Sequence, residues 1–253
     1  MELWNRPKRN QARSTGGRRI YAIGDVHGCF DLLVRLLQLI ELDQINRPPA
    51  ETHLVMLGDY VDRGPFSRDV CELLYAMRDS DYFHCLRGNH EQAMLDVLDG
   101  SPTALRFWLQ YGGEETLRSW NIDPELVEHA CADPDRAAYL VSVFRDAVPD
   151  WLTDWLARLP SHIQFDDYLF VHAGVRPKVA LDEQSIDDLL WIREPFLSSR
   201  ARHPWRVVHG HSEGEDVQIK GNRIGIDTGA YRTGILSAVG IEDGAHWIIQ
   251  TES

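Results

Sequence analysis

One seven-residue stretch, Gly-Asp-Tyr-Val-Asp-Arg-Gly at residues 58–64, places two carboxylates and a guanidinium close together in sequence. The four residues before it are apolar, which is typical of a buried strand, and residues 67–77 show helical spacing. The stretch is therefore predicted to be a loop at the carboxyl end of a strand, where open α/β sheets bind ligands. Asp59 could bridge metal ions, Asp62 could orient a base and Arg63 could hold an oxyanion. Taken alone, the stretch fits an ordinary polar turn equally well, because Gly and Asp favour turns.

Four further polar loops also follow apolar, strand-like runs. They are Gly-Asp-Val-His-Gly at 24–28, Gly-Asn-His-Glu at 88–91, His-Ala-Gly at 172–174 and His-Gly-His-Ser at 209–212. Because each loop falls at the same end of its strand, residues far apart in sequence are expected to converge. Across all five loops the potential metal ligands are Asp25, His27, Asp59, Asn89, His172 and His211. Such mixed ligands suit Mn²⁺, Fe²⁺ or Zn²⁺, and a carboxylate between two ions allows the separation of roughly 3.5–4 Å used in phosphoryl displacement.

The pattern of elements predicts an α/β fold. Strands are predicted at 19–23, 54–57 and 82–86, each followed by a polar loop and a helical pattern, so the chain should begin as βαβαβ with a mostly parallel sheet. Beyond Pro160 the pattern changes to short strands with a single helix at 186–192. Those strands are predicted at 162–165, 168–171, 205–208, 217–220, 223–226, 235–241 and 247–250.

Residues 99–160 differ from both halves. They contain four tryptophans, the pair Gly112-Gly113, and Asp-Pro helix-start signals at 123–124 and 133–134. We expect several short helices inserted as a cap, which could select substrates. The tryptophans are equally consistent with a segment that simply extends the core.

The composition is that of a globular domain, with 253 residues, 43% hydrophobic and 26% charged. The formal net charge is -13, but residues 1–19 carry six basic residues against one acidic, so the remaining body carries about -18. That charge argues against general nucleic-acid binding. Any phosphate must therefore be bound at a local positive site.

The basic head, residues 1–18, is predicted to be a flexible tail, and residues 19–253 a single catalytic domain. The head lacks the apolar region of a secretory signal, and no run approaches the ~18 apolar residues of a membrane span. The four cysteines, at 29, 71, 85 and 131, form no Cys-x-x-Cys pair, as expected in a reducing cytosol. We therefore expect a cytoplasmic protein without membrane contact, and the acidic surface favours a monomer.

The five loops, in this order, resemble the motifs of the metallophosphoesterase superfamily, and closely those of its phosphoprotein phosphatase branch in the short bacterial and phage form. The resemblance runs from Gly24 to Ser212, omits the basic head and covers residues 99–160 only loosely. It implies a calcineurin-like sandwich, in which two central β-sheets are flanked by helices, with a helical cap insertion.

The resemblance also implies the metal ligands. Asp25 and His27 would bind the first ion, Asp59 would bridge both, and the second ion would be completed by Asn89, His172 and His211. Many other branches have a further histidine where this chain has Glu213, so the first ion should keep three protein ligands. This difference favours the phosphoprotein phosphatase branch, and Glu213 itself is expected to be neutral for the chemistry.

The resemblance assigns roles to the remaining polar residues. His90 would be the general acid that protonates the departing oxygen, and Asp62 would fix its tautomer. A hydroxide bridging the ions would attack phosphorus directly. Arg63 would hold the phosphoryl oxygens in a bidentate manner. A second phosphate arginine is expected at Arg193, with Arg176 as the alternative.

Three residues or segments beside these motifs have more than one interpretation. Glu91 is expected to be a structural anchor rather than a ligand. His209 is either structural or supports the ligands from behind. The segment 227–231 is either a plain turn or a substrate contact.

The implied function is metal-dependent hydrolysis of phosphomonoesters, above all as a serine/threonine protein phosphatase of broad specificity. Its partners would be phosphorylated proteins or small phosphoesters, and its cofactors two divalent ions, Mn²⁺ first with Fe or Zn as alternatives. The alternative is a symmetrical bis(5'-nucleosyl)-tetraphosphatase, a group that typically lacks an aspartate at the position of Asp62 and reads Gly-Asn-His-Asp. A non-catalytic scaffold is a third possibility, but all six ligands and His90 are present.

Overall fold

The computed structural model describes residues 13–130 and 133–252 of the protein. Within these residues the strands form two five-stranded sheets. The first has the order β10-β9-β1-β2-β3, with β1 (Arg19–Ile23), β2 (Thr52–Met56), β3 (Phe83–Cys85), β9 (Ser237–Glu242) and β10 (Ala245–Gln250). The second has the order β4-β5-β6-β8-β7, with β4 (His162–Phe165), β5 (Tyr168–Val171), β6 (Arg206–His209), β7 (Gln218–Ile219) and β8 (Arg223–Gly225).

Helices cover the outer faces of the sheets. Those of the first half are α1 (Phe30–Ile45), α2 (Ser67–Met77), α3 (Asn89–Leu98), α4 (Pro102–Gln110) and α5 (Gly113–Ser119). The later ones are α6 (Pro124–Ala130), α7 (Pro134–Ala147), α8 (Asp150–Arg158), α9 (Ile186–Trp191) and α10 (Ala230–Thr233), with a single 3₁₀ turn at Leu181–Glu183. The predicted strand and helix boundaries agree with these to within two residues, and the predicted two-sheet α/β architecture is confirmed.

The prediction of a mostly parallel sheet was wrong. In the first sheet β1, β2 and β3 are parallel, but β9 pairs antiparallel with both β1 and β10. The antiparallel pairing of β9 with β10 follows from the two-residue connection Asp243-Gly244, in which both residues have positive φ. Such a connection can join only antiparallel strands.

The strand β1 shows why the two sheets stack. All five of its residues are buried. Ile20 and Ala22 pack into the hydrophobic cluster between the sheets, whereas Tyr21 and Ile23 pack into the cluster beneath the helices. A strand that is covered on both faces has a continuous apolar sequence, as residues 20–23 of β1 do.

The part of the predicted tail that the structure describes, residues 13–18, contacts the rest of the domain. The backbone N–H of Ser14 donates to the Asp167 carboxylate at 2.8 Å, and Thr15 is buried. Arg18 forms ion pairs with Glu51 at 2.9 Å and Asp166 at 3.2 Å. Residues 1–12 of the predicted tail lie outside the described residues.

The described residues of the segment 99–160 form the helices α4 to α8, as expected. Trp108, Leu117 and Phe144 belong to the same hydrophobic cluster as Val70 and Leu74 of α2. The tryptophans of this segment therefore contribute to the core. Among the described residues, none of the helices has the length and apolarity needed to cross a membrane.

Candidate active site

Five residues of the predicted site adopt the left-handed backbone conformation that non-glycine residues seldom use. They are His27 (φ 46°), Asp59 (φ 53°), Asp62 (φ 75°), Arg63 (φ 68°) and His211 (φ 60°). The left-handed conformation costs roughly 1–2 kcal/mol per residue. Such strain persists where surrounding contacts enforce it and concentrates at functional sites.

The Asp59 carboxylate lies at the centre of the converging loops. Its Oδ2 atom is 3.5 Å from Nε2 of His27, and its Oδ1 atom is 3.3 Å from Nε2 of His172. The two oxygens thus face different imidazoles. This is the arrangement that a carboxylate bridging two metal ions requires.

Asn89, His172 and His211 meet on one side of Asp59. The Asn89 Oδ1 atom lies 2.7 Å from Nε2 of His172 and 2.8 Å from Nδ1 of His211. The backbone carbonyl of Leu57 accepts a hydrogen bond from Nδ1 of His172 at 2.9 Å, so Nε2 of that ring carries a lone pair. This lone pair and the oxygens of Asn89 and Asp59 are all acceptors facing one another. A bound cation would satisfy all three.

Around Asp59, several buried polar atoms of the described residues are left without hydrogen-bond partners. The backbone carbonyl of Val61 accepts from Nδ1 of His27 at 2.9 Å and orients the ring. Among the described residues, His27 Nε2, Asp25 Oδ1 and His211 Nε2 have no hydrogen-bond partner. Buried polar atoms are nearly always satisfied. These donor atoms therefore fit a metal site, since an ion would satisfy them.

The electrostatics of the site also favour bound cations. Burial, followed by the charges of Asp227 and Asp59, raises the pKa of Asp25 well above its usual value. Burial lowers the pKa of His27, and it lowers that of His211 to about 2, so both rings are neutral, the form that binds metal.

The ligand atoms cluster as two groups that share Asp59. His27, Asp59 and His90 form one group, and Asp59, His172 and His211 form the other, with ligand atoms within 4.8 Å of one another in each. His90 therefore lies at a position from which its ring could bind a metal ion. Asp25 belongs to neither group, and its Oδ2 atom accepts a hydrogen bond from the His211 backbone N–H at 2.9 Å.

His90 and Asp62 form a buried pair beside these groups. Nδ1 of His90 donates to Oδ2 of Asp62 at 2.6 Å, which leaves Nε2 facing Oδ2 of Asp59 at 3.8 Å. Burial acts to lower the pKa of His90, but the charges of Asp59 and Asp62 outweigh it and raise that pKa. The pair can therefore keep a proton available at Nε2.

Two further partners of Asp62 were missed by sequence reasoning. The indole Nε1–H of Trp108 donates to Oδ2 of Asp62 at 2.8 Å, and the hydroxyl of Thr116 donates to Oδ1 at 2.6 Å. Both residues lie in the segment 99–160. The only sequence signal was the presence of a tryptophan beside the Gly112-Gly113 turn.

Arg63 is held at the mouth of the site by Glu213. Its Nη1 atom donates to Oε1 of Glu213 at 3.0 Å, and its guanidinium lies 4.8 Å from the centre of the Tyr231 ring. Glu213 also accepts from the Tyr231 hydroxyl at 3.0 Å and from Arg232 at 3.1 Å. Although Glu213 was expected to be neutral for the chemistry, it fixes the arginine nearest His90, whose Nε2 is 3.3 Å from Nη2 of Arg63.

The two candidates for the second phosphate arginine have different surroundings. Nη2 of Arg193 is 3.4 Å from the carbonyl oxygen of His211, beside the ligands. Arg176 instead makes two hydrogen bonds to the Asp188 carboxylate, at 2.8 and 2.6 Å. Of these two arginines, Arg193 is therefore the one that lies beside the predicted metal ligands.

Glu91 is an anchor, as predicted. Its carboxylate accepts the backbone N–H groups of Asp59 at 2.9 Å, Tyr60 at 2.7 Å and Gly88 at 2.9 Å. It thereby joins the loop at 58–64 to the start of α3. His209 is buried against the ring of Phe196, and burial lowers its pKa to about 4.

Comparison with known proteins gives concordant results. A family model described as calcineurin-like phosphoesterase matches residues 18–234. The chain is 30% identical to serine/threonine-protein phosphatase 1 of Salmonella typhimurium over 232 residues, which cover 89% of this chain and 93% of that protein. It is also 35% identical to the symmetrical bis(5'-nucleosyl)-tetraphosphatase of Pseudomonas fluorescens over 163 residues, which cover 64% of this chain and 44% of that protein.

Solved structures show the same fold. A candidate diadenosine tetraphosphatase superimposes with a TM-score of 0.65 at 22% identity, covering 94% of this chain and 98% of that one. A cold-active protein tyrosine phosphatase superimposes with a TM-score of 0.58 at 20% identity, covering 93% and 81%. The resemblance inferred from the five loops is confirmed, and the chain belongs to the calcineurin-like phosphoesterase family of metal-dependent phosphoester hydrolases.

Proposed function

We propose that this enzyme is a serine/threonine phosphoprotein phosphatase of broad specificity. The observation that carries the proposal is the buried His90–Asp62 pair, joined at 2.6 Å and placed beside Arg63. Hydrolysis of a seryl or threonyl phosphate expels an alkoxide, which needs a proton as the bond breaks. A dinucleoside tetraphosphate expels a nucleoside diphosphate, whose terminal oxygen needs protonation far less than an alkoxide does. A tuned general acid therefore favours the phosphomonoester.

The six predicted ligands would hold two divalent ions. Such ions, when bound, polarise phosphoryl oxygens and lower the pKa of water. Asp59 would bridge them, and the other ligands would be Asp25, His27, Asn89, His172 and His211.

The chain's own side chains would perform the remaining steps. Nε2 of His90 would donate its proton to the leaving oxygen, and Asp62 would keep the ring in the required tautomer. Arg63, oriented by Glu213, would bind two phosphoryl oxygens, and Arg193 would bind the same group from the side of His211.

The extent of the sequence matches supports this choice, although the similarity to tetraphosphatases points elsewhere. The similarity to the Salmonella typhimurium phosphatase extends over 93% of that protein, whereas the similarity to the Pseudomonas fluorescens tetraphosphatase extends over 44%. The higher identity of the shorter match, 35% against 30%, makes dinucleotide hydrolysis the second candidate.

A direct assay separates the two candidates. The manganese-loaded protein is given a phosphoserine peptide and, in parallel, diadenosine tetraphosphate. We expect release of inorganic phosphate from the peptide and an intact dinucleotide. Conversion of the dinucleotide to two molecules of ADP, with the peptide untouched, would establish the second candidate instead.

Replacing Arg193 by alanine should slow catalysis, because it removes a side chain that is proposed to bind the phosphoryl group. Hydrogen bonds to charged groups contribute about 1.5–3 kcal/mol, so kcat/KM should fall about 10- to 100-fold. The matched control is Arg176→Ala, which removes an arginine already bonded to Asp188 and should change kcat/KM by less than about threefold. A larger loss in the Arg176 variant than in the Arg193 variant would exchange their roles.

We also propose the setting in which the enzyme works. Mn²⁺ is the proposed ion, and the same ligand set suits Fe²⁺ or Zn²⁺. A cytoplasmic location is supported by the free thiols of Cys29, Cys71 and Cys85, while Cys131 lies outside the described residues. The acidic surface favours a monomer, with residues 19–253 as one catalytic domain that carries the 99–160 insertion.

A further inference from the structure

We propose that Trp108 and Thr116, both in the 99–160 insertion, are positioning residues that hold the Asp62 carboxylate against His90. The insertion would then be part of the acid machinery as well as part of the core. This inference rests on the proposed function, in which His90 protonates the leaving oxygen.

The hydrogen bonds leave the Asp62 carboxylate no freedom to turn. Oδ2 is shared by Nδ1 of His90 at 2.6 Å and Nε1 of Trp108 at 2.8 Å, and Oδ1 accepts from Thr116 at 2.6 Å. Asp62 is fully buried, so water cannot replace any of these donors. A buried carboxylate depends on such donors. Two of the three come from the insertion.

The insertion also maintains the strained backbone at this point. Asp62 and Arg63 are successive non-glycine residues with positive φ. The N–H of Asp62 donates to the hydroxyls of Thr116 at 2.8 Å and Ser67 at 3.0 Å, and the N–H of Arg63 donates to the carbonyl of Gly112 at 3.0 Å. Strained conformations persist when several contacts specify them.

The Gly112-Gly113 turn lets the insertion approach this closely. Gly112 has a φ of 105°, and a Cβ atom there would lie 2.7 Å from Cγ of Arg63. A Cβ atom on Gly113 would overlap the ring of Trp108. That ring is fully buried and stacks on Phe144 at a centroid distance of 5.4 Å. The indole N–H is therefore aimed at Asp62 by rigid packing.

Loss of either donor should affect some substrates far more than others. With one donor removed, the carboxylate can turn and His90 is no longer held in one orientation. Proton donation then becomes less effective. A phosphoserine peptide, whose leaving alkoxide needs the proton, should suffer, whereas p-nitrophenyl phosphate, whose leaving group barely needs it, should not.

The test uses Trp108→Phe and Thr116→Val in the full-length, manganese-loaded protein. For each variant, kcat/KM is measured on both substrates with the same preparation, so that the fraction of folded protein cancels in the ratio. We expect the ratio of peptide to p-nitrophenyl phosphate activity to fall about tenfold or more. This is part of the 10²–10⁴-fold that a general acid contributes in total. The effect should lie in kcat, with KM for the peptide unchanged.

Three controls define the outcome. Thr116→Ser keeps the hydroxyl and should restore the ratio. Trp120→Phe alters a second buried tryptophan of the insertion, which packs on the same Phe144 ring and is not one of the hydrogen-bond donors to the Asp62 carboxylate, and should leave the ratio unchanged. His90→Asn sets the full size of the effect.

The possible results separate this inference from the function on which it rests. The inference is overturned if the ratio stays at the wild-type value in both insertion variants while His90→Asn lowers it. It is also overturned if Thr116→Ser behaves like Thr116→Val, or Trp120→Phe like Trp108→Phe. If His90→Asn itself leaves the ratio unchanged, the assignment of His90 as the acid is wrong and the positioning role is lost with it.

Discussion

Replacing Asp59 by asparagine is expected to remove phosphoester hydrolysis almost completely and to lower the metal content from two ions per chain. The two oxygens of Asp59 face His27 and His172 separately, so no other side chain can take their place. The amide keeps the shape but removes the charge and one of the two metal-binding oxygens. Lewis-acid stabilisation is worth several kcal/mol, so kcat should fall about 10³-fold or more.

Metal content distinguishes this effect from a general change in charge. The matched control is Asp227→Asn, another buried carboxylate close enough to raise the pKa of Asp25. Its Oδ1 atom accepts the N–H of Gly229 at 2.9 Å, a bond that an asparagine oxygen can also accept. Elemental analysis should find two ions per chain in the control. Two ions and normal rates in the Asp59 variant would contradict the bridging role.

Bound ions should also stabilise the fold. A ligand at about 100 times its dissociation constant adds about 2.7 kcal/mol to the free energy of unfolding. The melting temperature of the wild-type protein should therefore fall when a chelator is added, and that of the Asp59 variant should respond much less.

The convergence of the predicted ligands could be expected from the sequence, because each one follows a strand. Asp25 follows β1, Asp59 follows β2 and His172 follows β5, within a few residues in every case. β1 and β2 are parallel neighbours in the first sheet, and β5 belongs to the second sheet, whose loop brings His172 to within 3.3 Å of Asp59. The backbone carbonyls that orient the imidazoles, such as Leu57 and Val61, lie in the same short loops or at their start.

The two residues of the insertion that bind the Asp62 carboxylate could not be predicted in the same way. Trp108 and Thr116 are separated from Asp62 by 46 and 54 positions, and neither follows a strand. Their contact with Asp62 depends on how α5 packs against α2 and how α4 packs against α3 and α5. Tryptophan and threonine are also common in cores, so their types carried no sign of this role.

Glu213 and β9 illustrate two other limits. Glu213 contacts Arg63 across 150 positions, and the sequence offered only the absence of a histidine at that point. The pairing of β9 with β1 joins residues more than 200 positions apart, so no local pattern could predict it. Local patterns thus predict elements, and long-range contacts decide which elements are neighbours.

The His90→Asn variant is expected to slow phosphoserine peptides far more than aryl phosphates. General acid catalysis contributes about 10²–10⁴-fold, and a peptide substrate should lose that factor because its leaving alkoxide is strongly basic. Loss on p-nitrophenyl phosphate should stay within about threefold, since its leaving group barely needs a proton. Across a series of aryl phosphates, the rate of the variant should therefore depend more steeply on the leaving-group pKa than the rate of the wild-type enzyme.

The geometry leaves one competing role for His90, and the same variant decides between the two. Nε2 of His90 lies 3.8 Å from Asp59 and within the His27–Asp59–His90 group, so the ring could in principle bind an ion. If His90 is a metal ligand, the variant should lose metal, and the hydrolysis of both classes of substrate should slow equally. If His90 is the general acid, the metal content should not change, and only the hydrolysis of substrates with basic leaving groups should slow. The 2.6 Å hydrogen bond to Asp62 favours the second result, because the carboxylate stabilises the charged imidazolium, in which Nδ1 donates to Asp62 and Nε2 carries the second proton.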